Sequence, residues 1–289
     1  MHAAIHLDLD GAADIYRVHG WKYEWDYDPL FETGLHHALE FFEQAGIRAT
    51  LFVISRHLED RRKRVLLEEA VRNGHEIASH SVTHRHLTKL SSQDKRREIF
   101  DSRERLMAVL GTEVLGFRAP GFQIDRESLE LIAEAGYDYD SSTFPTATFA
   151  RRVGVNSLRP CPHRLMDGCD LVELSLPPHH PLPFPFHPSF SLVLGRPYFQ
   201  LGFHMFRKRK SPMVLLFHLT DFADPLPQAW LPGWKSRIYT LSHLSGASKR
   251  LHCRKIIDFV RNECQIVPTT MLVSEPYVRT PLRAKEVAR

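Results

Sequence analysis

Cysteine is scarce in this chain: its 289 residues include four cysteines, and none of them forms a Cys-x-x-Cys motif. A chain of this length can bury its own core, so a disulfide framework is not expected. No apolar run approaches the roughly 20 residues that span a bilayer. The opening residues, MHAAIHLDLD, lack the basic and apolar regions of a signal peptide. These absences predict a reduced, cytoplasmic protein.

Strong net charge is also absent. The formal charge is +4, which is too small to predict a nucleic-acid partner. Basic residues cluster at 56–64 and 206–210, and the first cluster is interpreted as a solvated helix face. With 43% hydrophobic and 25% charged residues, the composition is that of a globular domain.

The first 145 residues alternate short apolar runs with segments of helical periodicity, and several of these segments end at glycine. Such alternation predicts parallel strands joined by helices, in an open sheet or a barrel. Strands are predicted in AAIHLDL, IRATLFVIS, HEIASH, VLGFRAP and YDYDSS.

Proline dominates the stretch at about 146–212, which is therefore predicted to be an insertion on the domain surface, interrupted by a strand in CDLVELSL. Regular structure is expected to return with a strand in MVLLFHL, a helix in SKRLHCRKIIDFVRNE and a last strand in QIVPTTMLV. The prediction is one domain over 1–275, followed by a basic tail over 276–289.

Chemically useful side chains follow several predicted strands, where α/β folds place their active sites. They are Asp8, Asp10, His80, His84, Arg118, Asp138, Asp140, His218 and Asp221. Two residues apart on a strand, Asp8 and Asp10 lie on one face and repel each other unless a cation or a proton intervenes.

Each of these signals is weak alone. His2 and His6 have the same spacing as His80 and His84, on a predicted strand where the pair has no evident use. Together, however, two imidazoles and a carboxylate make a three-ligand site for a divalent metal. A second carboxylate can act as base, an arginine can keep it ionised, and a histidine can protonate a leaving group. This combination indicates metal-assisted hydrolysis.

At this level of detail the sequence resembles the polysaccharide deacetylase family, the NodB-homology domain of carbohydrate esterase family 4. The similar segments are DLDGA, ATLFVIS, GHEIASHSVTH, GFRAPGF, YDSSTFP and LLFHLTD. They cover about 5–145 and resume at Met213. The resemblance implies a distorted (β/α) barrel of about seven parallel strands, with the Pro/Phe-rich segment as an insertion.

The resemblance also implies roles for individual residues. Asp10, His80 and His84 would bind Zn²⁺, or else Co²⁺, Ni²⁺, Mn²⁺ or Fe²⁺. Asp8 would be the catalytic base and His218 the general acid.

Other residues would support these. Arg118 would orient Asp8, a backbone N–H near Gly121 would help to stabilise the oxyanion, and Asp140 and Asp221 would hold Arg118 or His218 in place. Asp14 competes with Asp10 as a ligand, although it lies farther from the strand end.

Departures from the family pattern concern the substrate. The first motif is Asp-Leu-Asp, a variant of the usual adjacent aspartates that the resemblance associates with lipid-linked sugars and small amides. Gly121 stands where an aromatic residue is usual. The favoured reaction is removal of an acetyl or formyl group from an amino sugar. A small-amide hydrolase of the allantoinase or imidase type and a non-catalytic carbohydrate-binding protein stay open.

The segment 184–210 is rich in Phe and Leu and ends in consecutive basic residues. One interpretation is a buried segment that packs on the barrel. The other is a surface that contacts anionic lipid, which fits a polyprenyl- or lipid-linked glycan precursor at the inner face of the membrane.

Overall fold

A mostly parallel β-sheet lies at the centre of the structure, a computed structural model that describes residues 1–166, 168–179, 184–274 and 276–278. Its strands are β1 (His2–Asp8), β2 (Thr50–Val53), β3 (Glu76–Ser79), β4 (Val114–Phe117), β5 (Tyr139–Asp140), β6 (His163–Arg164), β7 (Val172–Glu173), β10 (Met213–His218) and β11 (Gln265–Ile266). Two further short strands, β8 (Pro178–His179) and β9 (Phe184–Pro185), pair only with each other among the described residues.

The strand order is β10-β1-β2-β3-β4-β5-β7-β6, and β11 extends the start of β1. The seven strands from β10 to β7 all run parallel, whereas β6 is antiparallel to β7. The predicted distorted (β/α) barrel of about seven parallel strands is confirmed. In the described part of the chain, the end strands β10 and β6 do not pair, so the barrel is open there.

Helices follow most of the strands. They are α1 (Ala12–Val18), α2 (Pro29–Gln44), α3 (Arg61–Arg72), α4 (Ser92–Leu110), α5 (Arg126–Glu134), α6 (Ala147–Arg152), α7 (Pro188–Leu194), α8 (Arg196–Arg207), α9 (Trp234–Tyr239), α10 (Gly246–Arg261) and α11 (Thr269–Leu272). Side chains of Asp28, Ser91 and Asp125 accept backbone N–H groups at the starts of α2, α4 and α5. The apolar faces of these helices pack on the sheet and form the main core.

The proline-rich stretch differs from its prediction. It contains α7 and α8, which the density of proline did not suggest, and its strand β7 belongs to the main sheet. Phe186, Phe199, Phe203 and Phe206 are buried in the core. The burial of these four side chains agrees with the interpretation that the segment packs on the barrel.

The end of the domain also differs. The predicted last strand in QIVPTTMLV is only β11, because Pro268 ends the extended segment and α11 begins directly after it. Within the predicted tail, Val278 is buried and the Tyr277 hydroxyl lies 2.7 Å from His2 Nδ1. Residues 279–289, which include the basic residues of the predicted tail, lie outside the described residues. In the described ranges no helix combines the length and the apolar character needed to cross a membrane.

Candidate metal centre and active site

The predicted catalytic residues meet at the carboxyl edge of the sheet. Asp8 and His218 are register partners at the ends of the neighbouring strands β1 and β10. Arg118 follows β4 and His80 follows β3, so four strands deliver one side chain each to this edge. Parallel strands place their carboxyl ends side by side, which explains how residues up to 210 positions apart in sequence share one site.

Asp10, His80 and His84 form a cluster at this edge, with their ligand atoms within 4.8 Å of one another. Asp10 Oδ1 lies 2.9 Å from His84 Nε2 and 3.7 Å from His80 Nε2. Both histidines are buried and Asp10 is partly exposed. Asp8, Asp10 and His218 make a second, overlapping group of three.

The loop that carries the two histidines is not helical. Ser81 and His84 both have left-handed backbone conformations, with φ of +68° and +60°. Glu98 of α4 holds the loop: its Oε2 accepts the backbone N–H groups of Val82 and Thr83 at 2.9 and 2.8 Å. The two histidines, four positions apart in sequence, are therefore brought together by a turn anchored on a buried carboxylate and not by a helix.

The donor set fits a divalent metal. Asp10 Oδ1 is buried, and despite its proximity to His84 it has no hydrogen-bond partner among the described residues. His80 Nδ1 donates to the backbone carbonyl of Arg118 at 2.8 Å, which leaves a lone pair on Nε2, the ring nitrogen near Asp10. Burial by itself raises the pKa of Asp10, but His84 and His80 outweigh it and hold that pKa well below its ordinary range. Two imidazole nitrogens and an ionised carboxylate are ligands that suit zinc.

Asp8 is buried and is held by Arg118. Arg118 Nη1 donates to Asp8 Oδ1 at 2.6 Å, and the guanidinium lies 3.9 Å from the centre of the Phe52 ring. The guanidinium is fully buried, and it also donates to the carbonyl and hydroxyl oxygens of Ser141, both at 2.8 Å. The carboxylate and its counter-charge are thus fixed in one orientation.

His6 completes the environment of Arg118. Arg118 Nη2 lies 2.7 Å from His6 Nδ1, and His6 Nε2 lies 3.0 Å from the hydroxyl of Thr269. Burial and the charge of Arg118 lower the pKa of His6 well below 6.5, so the neutral ring accepts from Arg118 and donates to Thr269. Sequence analysis found no use for His6. Its position two residues before Asp8 on one face of β1 was the signal.

His218 is oriented by a chain of two further groups. Its Nδ1 lies 2.9 Å from the Ser189 hydroxyl, which donates to Asp221 Oδ2 at 2.5 Å. Asp221 Oδ2 also accepts the backbone N–H of His218 at 3.0 Å. His218 Nε2 then faces Asp8, with 4.0 Å between it and Asp8 Oδ2. Asp221 therefore contacts His218 directly, at the backbone, and also through Ser189, which sequence analysis missed.

The other predicted support residues lie differently. Asp140 accepts from the backbone N–H and the hydroxyl of Ser142, at 3.1 and 2.6 Å, and makes no hydrogen bond to Arg118 or His218 within the described ranges. Ser142 in turn accepts the backbone N–H of Ala119 at 2.8 Å. Asp140 is therefore connected, through Ser142, to the residue that follows Arg118.

Gly121 is exposed on the turn after Arg118, with a φ of +57°. A Cβ there would lie 2.9 Å from His86 Nε2. Asp14, the competing ligand, is engaged elsewhere: its Oδ2 lies 2.7 Å from His57 Nε2 and accepts the Gly11 backbone N–H at 3.2 Å. Asp14 therefore steadies the loop after Asp10 and is outside the ligand cluster.

Residues 22–139 match the family model described as polysaccharide deacetylase. The matched segment includes His80, His84 and Arg118, whereas Asp8, Asp10 and His218 lie outside it.

Solved structures with the same fold cover nearly the whole chain. A Mycobacterium smegmatis protein assigned to the polysaccharide deacetylases is 18% identical, with a TM-score of 0.61 over 98% of this chain and 93% of its own. An allantoinase is 15% identical, with a TM-score of 0.61 over 96% of this chain and 91% of its own. A Pseudomonas aeruginosa PAO1 protein, also assigned to the polysaccharide deacetylases, is 15% identical, with a TM-score of 0.57 over 94% of this chain and 89% of its own. These similarities establish the fold, and the match over residues 22–139 confirms the predicted resemblance to the polysaccharide deacetylase family.

Proposed function

We propose that this protein is a metal-dependent hydrolase that removes an acetyl or formyl group from the nitrogen of an amino sugar. The observation that carries the proposal is the meeting of the Asp10, His80 and His84 cluster with the Asp8–Arg118 pair and His218 at one edge of the sheet. Hydrolysis of an amide needs an activated water and a proton for the departing amine, and this arrangement offers a residue for each.

Asp10, His80 and His84 would hold the metal. When bound, a divalent ion there lowers the pKa of a water molecule and polarises the amide carbonyl. Asp8, held by Arg118, takes the proton of the attacking water. His218 donates a proton to the amine that leaves, and the chain through Ser189 to Asp221 keeps its Nε2 directed into the site.

Contact with a membrane through 184–210 stays a prediction. The buried phenylalanines of this segment are not available for it, but Val193, Leu194 and Leu201 are 52–56% exposed. Arg207 forms an ion pair with Glu263, which reduces the free positive charge of the basic cluster. A contact through this segment would therefore rest on the three aliphatic side chains and on Lys208 to Lys210.

The test is amine release from N-acetyl and N-formyl glucosamine glycosides by the purified protein, before and after removal of metal with a chelator. We expect activity that chelation abolishes and that added Zn²⁺ restores. Hydrolysis of allantoin or a cyclic imide, with no release from the sugars, would favour the small-amide alternative. Binding of the glycosides without turnover, in a preparation with full metal content, would favour the carbohydrate-binding alternative.

A further inference from the structure

A cavity of about 670 Å³ opens directly onto the proposed catalytic centre. Asp10, His84 and His218 line its inner end. A volume of this size is typical of small-ligand sites, which span about 300–1,000 Å³. The cavity is therefore continuous with the place where the scissile amide would lie.

The outer walls of the cavity are apolar. Three separate helices supply them: Ile15 and Val18 lie in α1, Val193 and Leu194 in α7, and Ile238 and Tyr239 at the end of α9. Apart from Asp10 and the histidines, no lining residue in the described part of the chain carries a charge. A sugar polymer would expose hydroxyl groups to these walls without hydrogen-bond partners, which is unfavourable.

Several of the wall residues are exposed although they are large and apolar. Val193 is 54% exposed, Leu194 52% and Tyr239 53%. Tyr239 is held against His19, with 4.1 Å between the ring centres, so this part of the wall is packed in place. An exposed apolar surface that continues into a catalytic cavity indicates an apolar ligand.

The cavity borders the proposed acid and not the proposed base. His218, the proposed acid, lines it, whereas Asp8, the proposed base, does not. Charge points to the same class of substrate: neither 174–220 nor 225–257, the two stretches that supply α7 and α9, contains an aspartate or glutamate. Acidic headgroups next to an aliphatic chain would meet no acidic side chain from these two stretches.

Resting on the proposed function, we propose that the substrate is a glycolipid whose aliphatic chain belongs to the amine-bearing half of the molecule and occupies this cavity. The sugar then lies next to His218, and the chain runs between α7 and α9. Val193, Leu194 and Ile238 are specificity-determining residues because they contact the chain and not the reacting amide.

The test is calorimetric binding of three probes to the Asp8→Asn protein with its metal, so that no probe is turned over. The probes are the methyl glycoside and the octyl glycoside of N-acetylglucosamine and free N-octanoylglucosamine, all below their micelle concentrations. We expect the octyl glycoside to bind at least about 10-fold more tightly than the methyl glycoside, because burial of each additional methylene is favourable. Equal binding of the two glycosides, or a greater gain for the octanoyl amide, would overturn the proposal.

Matched variants locate the binding. Leu194→Gln and Ile238→Gln, each combined with Asp8→Asn, should lose most of the preference for the octyl glycoside. Leu201→Gln is the control, since Leu201 is 56% exposed on α8 and does not line the cavity. Loss of the preference in the control alone would contradict the location. Failure of the proposed function appears separately, as absence of amine release from every probe by the wild-type protein.

Discussion

Asp8 Oδ2 and His218 Nε2 face each other across 4.0 Å, from partner positions at the ends of two adjacent parallel strands. The pair is asymmetric, because Asp8 is buried against Arg118 and His218 borders the open cavity. The proposed base thus lies inside the site, opposite the proposed acid at the cavity. This asymmetry supports the roles of base and acid that the resemblance implies.

Replacement of Asp8 by Asn should abolish activity and leave the metal in place. The amide preserves the size of the side chain but removes the base, and we expect kcat to fall about 10²- to 10⁴-fold. Metal content by atomic emission and the rate of amine release check this. The companion variant His80→Ala should lose metal, since it removes a ligand. Loss of metal from Asp8→Asn with retention by His80→Ala would reverse the assignment.

Replacement of Ser189 by Ala should lower kcat about 10-fold while leaving KM for short substrates nearly unchanged. The change removes the hydroxyl that joins His218 Nδ1 to Asp221 and so loosens the orientation of the acid. Ser191→Ala on the same helix is the control, because the Ser191 hydroxyl bonds to Pro188 and His252 instead. Steady-state kinetics of the two variants measure kcat and KM. An equal fall in kcat in both variants would argue against a positioning role for Ser189.

The sequence predicted the parts of the site that depend on strand periodicity. Asp8 and His218 end β1 and β10, and Asp10, the two histidines and Arg118 follow β1, β3 and β4. Each of these positions comes at the end of an apolar run, and parallel packing brings such ends together. The position of His6 on the same strand face as Asp8 could have predicted its place in the site. It was missed because a histidine pair by itself is weak evidence of function. Prediction of these residues depends only on the local sequence pattern and on the strand topology.

Other parts of the site depend on tertiary contacts. Ser189 lies in α7, where proline density argued against a helix, yet Pro188 occupies the first turn, where proline is tolerated. Glu98 looks like any acidic residue of an amphipathic helix until the loop of His84 closes over it. Asp140 was expected to hold Arg118 or His218, but it bonds to Ser142, which contacts the backbone of Ala119, whereas Arg118 bonds to Ser141. Local sequence contains no signal for such contacts.

Replacement of Glu98 by Ala should weaken metal binding about 10- to 100-fold without removing a ligand, because the loop that carries His84 loses its two backbone hydrogen bonds to the carboxylate. Competition with a chromophoric chelator measures the affinity. Glu104→Ala, at an exposed position on the same helix, should leave affinity unchanged. Unaltered affinity in Glu98→Ala would mean that the loop is held by its remaining contacts.

Acid should destabilise the fold through His75, which is buried directly before β3 and is not a member of the ligand cluster. Burial and the nearby charge of Arg48 lower the pKa of His75 from 6.5 to about 4, and its Nδ1 accepts the Ala49 backbone N–H at 3.1 Å. Between these two pKa values the unfolded chain binds a proton that the folded chain does not. Stability from this residue is therefore complete above pH 6.5 and is lost as the pH falls toward 4.

The expected loss from His75 is about 2 kcal/mol between pH 7 and pH 5. Urea unfolding at the two pH values measures it, as the difference between the wild-type protein and His75→Gln, in which the amide oxygen can still accept from Ala49. The variant should have a smaller difference in free energy of unfolding between the two pH values. His36→Gln, at an exposed position on α2, is the control and should retain the wild-type difference. An identical pH dependence in wild type and His75→Gln would exclude His75 as the source.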